Sequence, residues 1–199
     1  MRQTPPPLIL ASSSRYRREL LERLQLPFRV VGPEVDETAS AWEAPTALAP
    51  RLALAKAQAV ARDHPGAVVI GSDQVADLDG RALGKPATAE RACAQLLAAS
   101  GRAVHFHTAV AIVGPVGSHV AHLDRTTVRF RTLAAPEIAR YVERDAPLDC
   151  AGSFRAEGLG LVLFDSIESS DPTALIGLPL MWVAGALRAL GLDSLAPAE

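Results

Sequence analysis

Apolar residues in this chain fall in short, separated blocks, and the spacing within each block predicts the element it builds. Leu8-Ile9-Leu10-Ala11 reads as a short buried strand. The polar Ser12-Ser13-Ser14 after it offers N-caps for a helix carrying Leu20, Leu21 and Leu24. Phe28 to Val31 predicts a second strand followed by an acidic loop, and alanine-rich helical periodicity runs from Thr46 to Arg62 until Pro65-Gly66 stops it. Ala67-Val68-Val69-Ile70 is apolar at every position, the pattern of a strand buried on both faces, with Gly71-Ser72-Asp73-Gln74 at its carboxyl end. Asp79-Gly80 predicts a tight turn leading to Gly84-Lys85-Pro86, and Thr88 opens a helix through Leu97 that ends near Gly101.

Two longer strands follow, Val104 to Val113 and His119 to Phe130, joined through Gly114-Pro115-Val116-Gly117. Pro136 to Val142 predicts a short helix, Leu159 to Phe164 a strand, and Pro179 to Leu190 a closing amphipathic helix with a loose tail after Gly191. Strands and helices alternate at first and long antiparallel strands come in the middle. The expected fold class is α/β, a mixed central sheet flanked by helices. No internal repeat or low-complexity linker is visible, so residues 1–199 are expected to form a single domain, undivided or two-lobed with a cleft between the lobes.

Composition narrows the function. With 49% hydrophobic, 21% charged and 5% aromatic residues, a packed globular core is expected rather than disorder. A net charge of -2 argues against binding a nucleic-acid polymer, which needs a basic surface, but leaves room for a local basic cluster around a small polyanion. The start has three consecutive prolines and too short an apolar run for a signal peptide, and no later stretch is long and apolar enough to span a bilayer, so the expected location is the cytoplasm. The two cysteines, Cys93 and Cys150, match no zinc spacing and read as reduced structural thiols.

Ser12-Ser13-Ser14-Arg15-Tyr16-Arg17-Arg18 sets hydroxyls, backbone amides and three arginines at a helix N-terminus, where the dipole attracts anions and phosphate is the natural ligand. Capping alone would explain the serines, but arginines early in a helix oppose its dipole unless an anion is present. Glu34-Val35-Asp36-Glu37 concentrates carboxylates that suit a hard divalent cation, although acidic loops are commonly just solvated. Asp73 ends an apolar strand, where burying a carboxylate is costly without a metal or good hydrogen bonds, and strand ends of this kind open on ligand crevices. Lys85 could neutralise a phosphate. Gly80 to Lys85 is no Walker loop, and Gly158-Leu159-Gly160 lacks the third glycine of a dinucleotide fingerprint. His105 and His107 alternate on one strand face without a third ligand nearby, which reads as an exposed face, and no serine or cysteine sits in a nucleophile setting.

Taken together, Leu10-Ala11-Ser12-Ser13-Ser14 with Arg17-Arg18, Glu34-Val35-Asp36-Glu37, Gly71-Ser72-Asp73-Gln74, Gly84-Lys85-Pro86 and Gly177-Leu178-Pro179 resemble the Maf family in order and spacing. The resemblance implies a nucleoside triphosphate pyrophosphatase that uses a divalent metal, on a fold related to inosine triphosphate pyrophosphatases, with a homodimer as a family-based expectation. Ser72-Asp73-Gln74 and Cys150-Ala151-Gly152-Ser153-Phe154, with Glu157 before Gly158, look like the branch acting on 7-methyl-GTP rather than the one acting on dTTP and UTP. Tyr16 and Glu157 offer an aromatic face and a carboxylate to a cationic methylated guanine. One departure is Ala55-Lys56-Ala57, where the family often has Glu-Lys-Ala.

The resulting expectations are Asp73 as catalytic residue and Tyr16, Gln74 and Glu157 for substrate specificity. Ser12, Ser14, Arg17, Arg18, Lys56 and Lys85 are expected on the phosphates, and Glu34, Asp36, Glu37 and Asp73 around Mg²⁺ or Mn²⁺. Rival readings are a dTTP/UTP or broader modified-nucleotide pyrophosphatase, a non-catalytic nucleotide-binding regulator of cell division, and a phosphomonoesterase.

Overall fold

The apolar run beginning at Val68 forms a buried strand, and that strand continues well past the point where polar residues begin. In the computed structural model, which describes residues 5–115 and 117–196, strand β3 spans Val68–Leu78. Asp73 therefore lies within a strand and not at its end, contrary to the sequence expectation. The reason is pairing: β5 (Ala103–Val113) runs antiparallel beside β3 from Val69↔Val113 to Asp77↔His105, satisfying the backbone of polar and apolar residues alike. On its other side β3 is paired in two pieces. β1 (Leu8–Ala11) is parallel to Val68–Gly71, and β4 (Arg81–Leu83) is antiparallel to Ala76–Leu78. Ser72 to Val75 thus face a gap in the sheet.

The seven strands run β2-β1-β3-β5-β6-β7, with β4 beside β3. β2 (Phe28–Val31) is parallel to β1, while β6 (His119–Phe130) and β7 (Phe164–Glu168) extend the antiparallel side. This is the expected mixed sheet flanked by helices. Side chains alternate across β3. Gly71, Asp73 and Val75 face α2 (Pro45–Asp63), and a Cβ on Gly71 would lie 2.3 Å from the Ala53 carbonyl oxygen, so the helix approaches this closely only over glycine. Val68 and Ile70 face the other way, into a core shared with Leu20 of α1 (Arg15–Glu22) and Val183 of α5 (Leu180–Ala189). Ala76 and Leu78 join a second core there, with Leu96 of α3 (Ala89–Ala99), Ile138 of α4 (Ala135–Asp145), Phe106 and Phe154. The polar side chains of Ser72 and Gln74 fall between those two cores.

Three further expectations are revised. Leu159–Leu163 is a 3-10 turn and β7 begins only at Phe164, because Gly158 and Gly160 both fold their amides back onto the Arg155 carbonyl. The short β4 was not anticipated, although Asp79 and Gly80 form the foreseen tight turn with φ of 52° and 80°. His107 is buried instead of exposed: its register partner is Val75, which turns it towards the α2 face, where its Nε2 lies 3.0 Å from Asp77 Oδ2. Part of the tail beyond Gly191, residues 197–199, lies outside the described residues, as does Val116 in the β5–β6 connection. Among the described residues no helix is long and apolar enough to cross a membrane.

Candidate active site

A cleft of about 590 Å³ opens at the gap in β3, lined by Asp73, Gln74 and Val75 of that strand. Ser12-Ser13-Ser14, Tyr16 and Arg17 wall it from the end of β1, Gly84 and Lys85 from the end of β4, Lys56 from α2, and Cys150 to Glu157 from the segment after α4. The break between β1 and β4 thus exposes the middle of the sheet to the cleft.

The serine turn is built by its own side chains. Ser14 is the N-cap of α1, its Oγ accepting from the Arg17 amide at 3.4 Å, and the buried Ser12 accepts from the Ser14 amide at 3.1 Å. Both hydroxyls therefore serve the backbone while their loop faces the cleft. Arg17 Nε donates to the Gly177 carbonyl at 2.9 Å, and the same carbonyl accepts from Ser72 Oγ at 2.9 Å. Gly177 adopts φ +128°, which explains the glycine in Gly177-Leu178-Pro179. Burial pulls the Arg17 guanidinium below its ordinary pKa, with Asp73 and Glu37 acting in the opposite sense.

The centre of the cleft is an ammonium between two carboxylates. Lys56 Nζ lies 2.6 Å from Asp73 Oδ1 and 2.8 Å from Glu37 Oε1. The side chains of Lys56 and Asp73 are 6% and 10% exposed, whereas Glu37 is 58% exposed. A buried charge pair of this kind costs heavily if either partner is removed. Among the described residues no group of three or more His, Cys, Asp or Glu side chains is placed to hold a metal. The two carboxylates at Lys56 nonetheless fit Mg²⁺ or Mn²⁺ as a partial site, since such ions take one or two protein carboxylates and complete their shell with phosphates and water.

Other expected residues lie elsewhere. Arg18 is outside the cleft and exposed, its Nε bonded to Glu22 Oε1 at 2.9 Å one helical turn on. Glu34 and Asp36 are exposed and do not line the cleft either; Asp36 accepts from the Thr38 amide at 2.9 Å, and its bonds to Thr38 hold its carboxyl below the usual range. Of the acidic loop only Glu37 reaches inward. Ala55 lines a separate shallow depression beside Asp36 and Arg62, so Lys56 is held without any carboxylate at position 55.

Around Tyr16 the cleft carries a second cluster. Tyr16 Oη accepts from Arg15 Nη2 at 2.6 Å and lies 3.5 Å from Asp149 Oδ2 and 3.8 Å from Cys150 Sγ. The Arg15 guanidinium stands 4.6 Å over one face of the ring. Burial raises the Tyr16 pKa and pushes the Cys150 thiol up to about 11. Glu157 is exposed at the rim. Gln74 turns its amide nitrogen inward, to Thr108 Oγ1 and the Ala174 and Leu175 carbonyls at 2.9 to 3.0 Å, so only its amide oxygen is available to a ligand. Arg15 belongs to the three arginines read at the start of α1 as an anion-attracting cluster, but sequence reasoning missed Asp149 and Arg155 in this wall, whose only signal was sequence proximity to Cys150 and Glu157.

Comparison with known proteins matches the chain to a family. The profile described as Maf-like protein matches residues 7–190. A 7-methyl-GTP pyrophosphatase of Xanthomonas oryzae is 61% identical over 186 residues, 94% of this chain and 97% of that protein. Another protein so named, from Bordetella pertussis, is 56% identical over 191 residues, 96% of each. Among solved structures, a nucleoside-triphosphatase / dITP/XTP pyrophosphatase from Mycobacterium abscessus superposes with a TM-score of 0.46 at 20% identity, covering 96% of this chain and 100% of that one. With a family profile spanning nearly the whole sequence and relatives this similar over almost their full length, the chain belongs to the Maf-like protein family.

Proposed function

We propose that this protein is a pyrophosphatase converting 7-methyl-GTP and water to 7-methyl-GMP and diphosphate, in a single catalytic domain whose cleft lies between two cores. The observation that carries this reading is the buried Lys56, held between Asp73 and Glu37 at a gap in the sheet large enough for a nucleotide. The names of the relatives from Xanthomonas oryzae and Bordetella pertussis support the choice of substrate.

Lys56 fixes one oxygen of Asp73, leaving Oδ2 to orient a water towards the α-phosphorus and take its proton. The water oxygen bonds to that phosphorus as the bond to the bridging oxygen breaks, and diphosphate leaves. Arg17 and Lys85 face the same cleft and stabilise charge on the phosphate oxygens. Carboxylates of ordinary strength are weak bases at neutral pH. A divalent cation held by Asp73, Glu37 and the substrate phosphates would supply the remaining help, acidifying the water and neutralising the leaving group. At the other cluster, Glu157 accepts from the guanine N1–H and amino group, and the Tyr16 face opposite Arg15 stacks on the cationic ring. A small-molecule nucleotide substrate of this kind suits a cytoplasmic enzyme.

The test is a panel of ordinary and modified nucleoside triphosphates with Mg²⁺ or Mn²⁺, measuring pyrophosphate and orthophosphate separately. Pyrophosphate release fastest on 7-methyl-GTP is expected. Orthophosphate as first product would overturn the reaction, and binding without release would indicate a nucleotide sensor. Asp73→Asn should lower turnover on the order of a hundredfold or more, and undiminished turnover by that variant refutes its role.

A further inference from the structure

Among the described residues, the one buried side-chain polar atom without a hydrogen-bond partner is Nε of Arg155, in the wall of the cleft. Its guanidinium has one ion pair, Nη1 to Asp145 Oδ1 at 3.5 Å, well beyond the usual length of a charge-assisted hydrogen bond, and it also lies beside the Tyr16 hydroxyl. Asp145 is already engaged, its Oδ2 accepting from Tyr141 Oη at 2.8 Å.

The backbone of Arg155 is pinned. Its amide donates to Tyr141 Oη at 3.1 Å, and its carbonyl accepts from the amides of Gly158 and Gly160, both at 3.2 Å. A Cβ at Gly160 would sit 2.4 Å from that carbonyl oxygen, and one at Gly158 would sit 2.9 Å from Asp145 Oδ1 and 3.2 Å from Arg155 Cδ. Gly158-Leu159-Gly160 is thus a clamp on Arg155. A tightly fixed backbone, an unpaired Nε and a loosely held guanidinium suit an acceptor that arrives with the ligand.

We propose that Arg155 is a specificity-determining residue whose guanidinium donates a hydrogen bond to the 6-oxo group of the bound purine. This rests on the reading of the same cleft as a 7-methyl-GTP site. Glu157, two residues on and also in the wall, supplies the complementary acceptor for N1–H and the 2-amino group. A donor beside an acceptor matches the guanine edge and mismatches adenine, whose 6-amino group donates and whose N1 accepts. Asp149 and Glu157 keep this wall from repelling a cationic ring.

The experiment compares Arg155→Ala and Arg155→Lys with the wild type in the full chain. The substrates are 7-methyl-GTP and an analogue lacking the 6-oxo group and, with it, the N1 proton, the triphosphate of N7-methylated 2-aminopurine riboside. Arg155→Ala should lower kcat/KM on 7-methyl-GTP on the order of tenfold to a hundredfold, and on the analogue by less than about threefold. Arg155→Lys, which keeps a donor and is the variant to use should the alanine protein misfold, should fall between wild type and alanine on 7-methyl-GTP alone. Equal losses on both substrates would mean that Arg155 merely braces Asp145, and no loss on 7-methyl-GTP would be equally fatal. A wild type that releases no pyrophosphate from 7-methyl-GTP sinks the substrate reading separately. Affinities of wild type and variants for GTP and 2-aminopurine riboside triphosphate then decide Arg155 by the same comparison, a loss confined to GTP upholding it and equal losses overturning it.

Discussion

Lys56 is the residue on which most depends, and its two partners differ in what they risk. Replacing it by methionine leaves Asp73 buried and unpaired, so Lys56→Met should lower the free energy of unfolding by about 3 kcal/mol. Glu37→Gln should cost less than about 1 kcal/mol, because that carboxylate is 58% exposed and its charge is screened by water. Urea denaturation of the two variants checks the contrast. The lysine, Asp73 and Glu37 were each legible in the sequence as candidates, but their pairing was not. Cys150 gives a pH prediction. Burial disfavours its thiolate, so its pKa rises to about 11 from an ordinary 9.0, and the stability tied to the neutral thiol is present below pH 9 and is lost as pH climbs towards 11. Alkylation at pH 8.5, followed peptide by peptide, should be slow at Cys150 in the folded protein and fast after denaturation.

At the scale of elements, the seat of α2 on β3 decides where Lys56 points. Gly71→Ala puts a methyl group into the Ala53 carbonyl, which must push the helix away; a loss of roughly 1–3 kcal/mol is expected, with reduced kcat/KM although no substrate atom is touched. Gly32→Ala meets nothing within 4 Å and should stay within about 0.5 kcal/mol of wild type, which makes it the control in thermal unfolding. Elements with a complete local signal were legible: Thr88 caps α3, and β5 and β6 closely match the apolar runs that announced them. Others failed for a reason that can be named. β3 continues through Gly71-Ser72-Asp73-Gln74 because β5 pairs with it throughout, and pairing overrides polarity. Leu159 to Leu163 is apolar yet turns, with Leu161 and Val162 more than half exposed, because two glycines clamp it to Arg155.

For the whole molecule, the cleft separates the core of α1 and α5 from that of α3 and α4, and a ligand there touches the loops at the ends of both β1 and β4. Triphosphate and Mg²⁺ at a hundred times the dissociation constant should stabilise the fold by about 2.7 kcal/mol. Amide exchange should slow at residues 12–17 and 83–85, and unchanged exchange at both would place the ligand elsewhere. Local sequence settled the order of the helices and longer strands, the Ser14 and Thr88 caps, the β3–β4 turn and the start of the buried strand β3, since each depends on residues a few positions apart. It also supplied the candidate chemistry. Only the tertiary structure decided that Glu37 and not Glu34 or Asp36 reaches Lys56, that Arg18 turns away while Arg17 is held by Gly177, and that Asp73 opens onto a gap in the sheet. Those outcomes join residues 17 positions apart for Lys56 and Asp73, and 160 for Arg17 and Gly177. Such distances are closed by strand register and helix packing, which no short window of sequence contains.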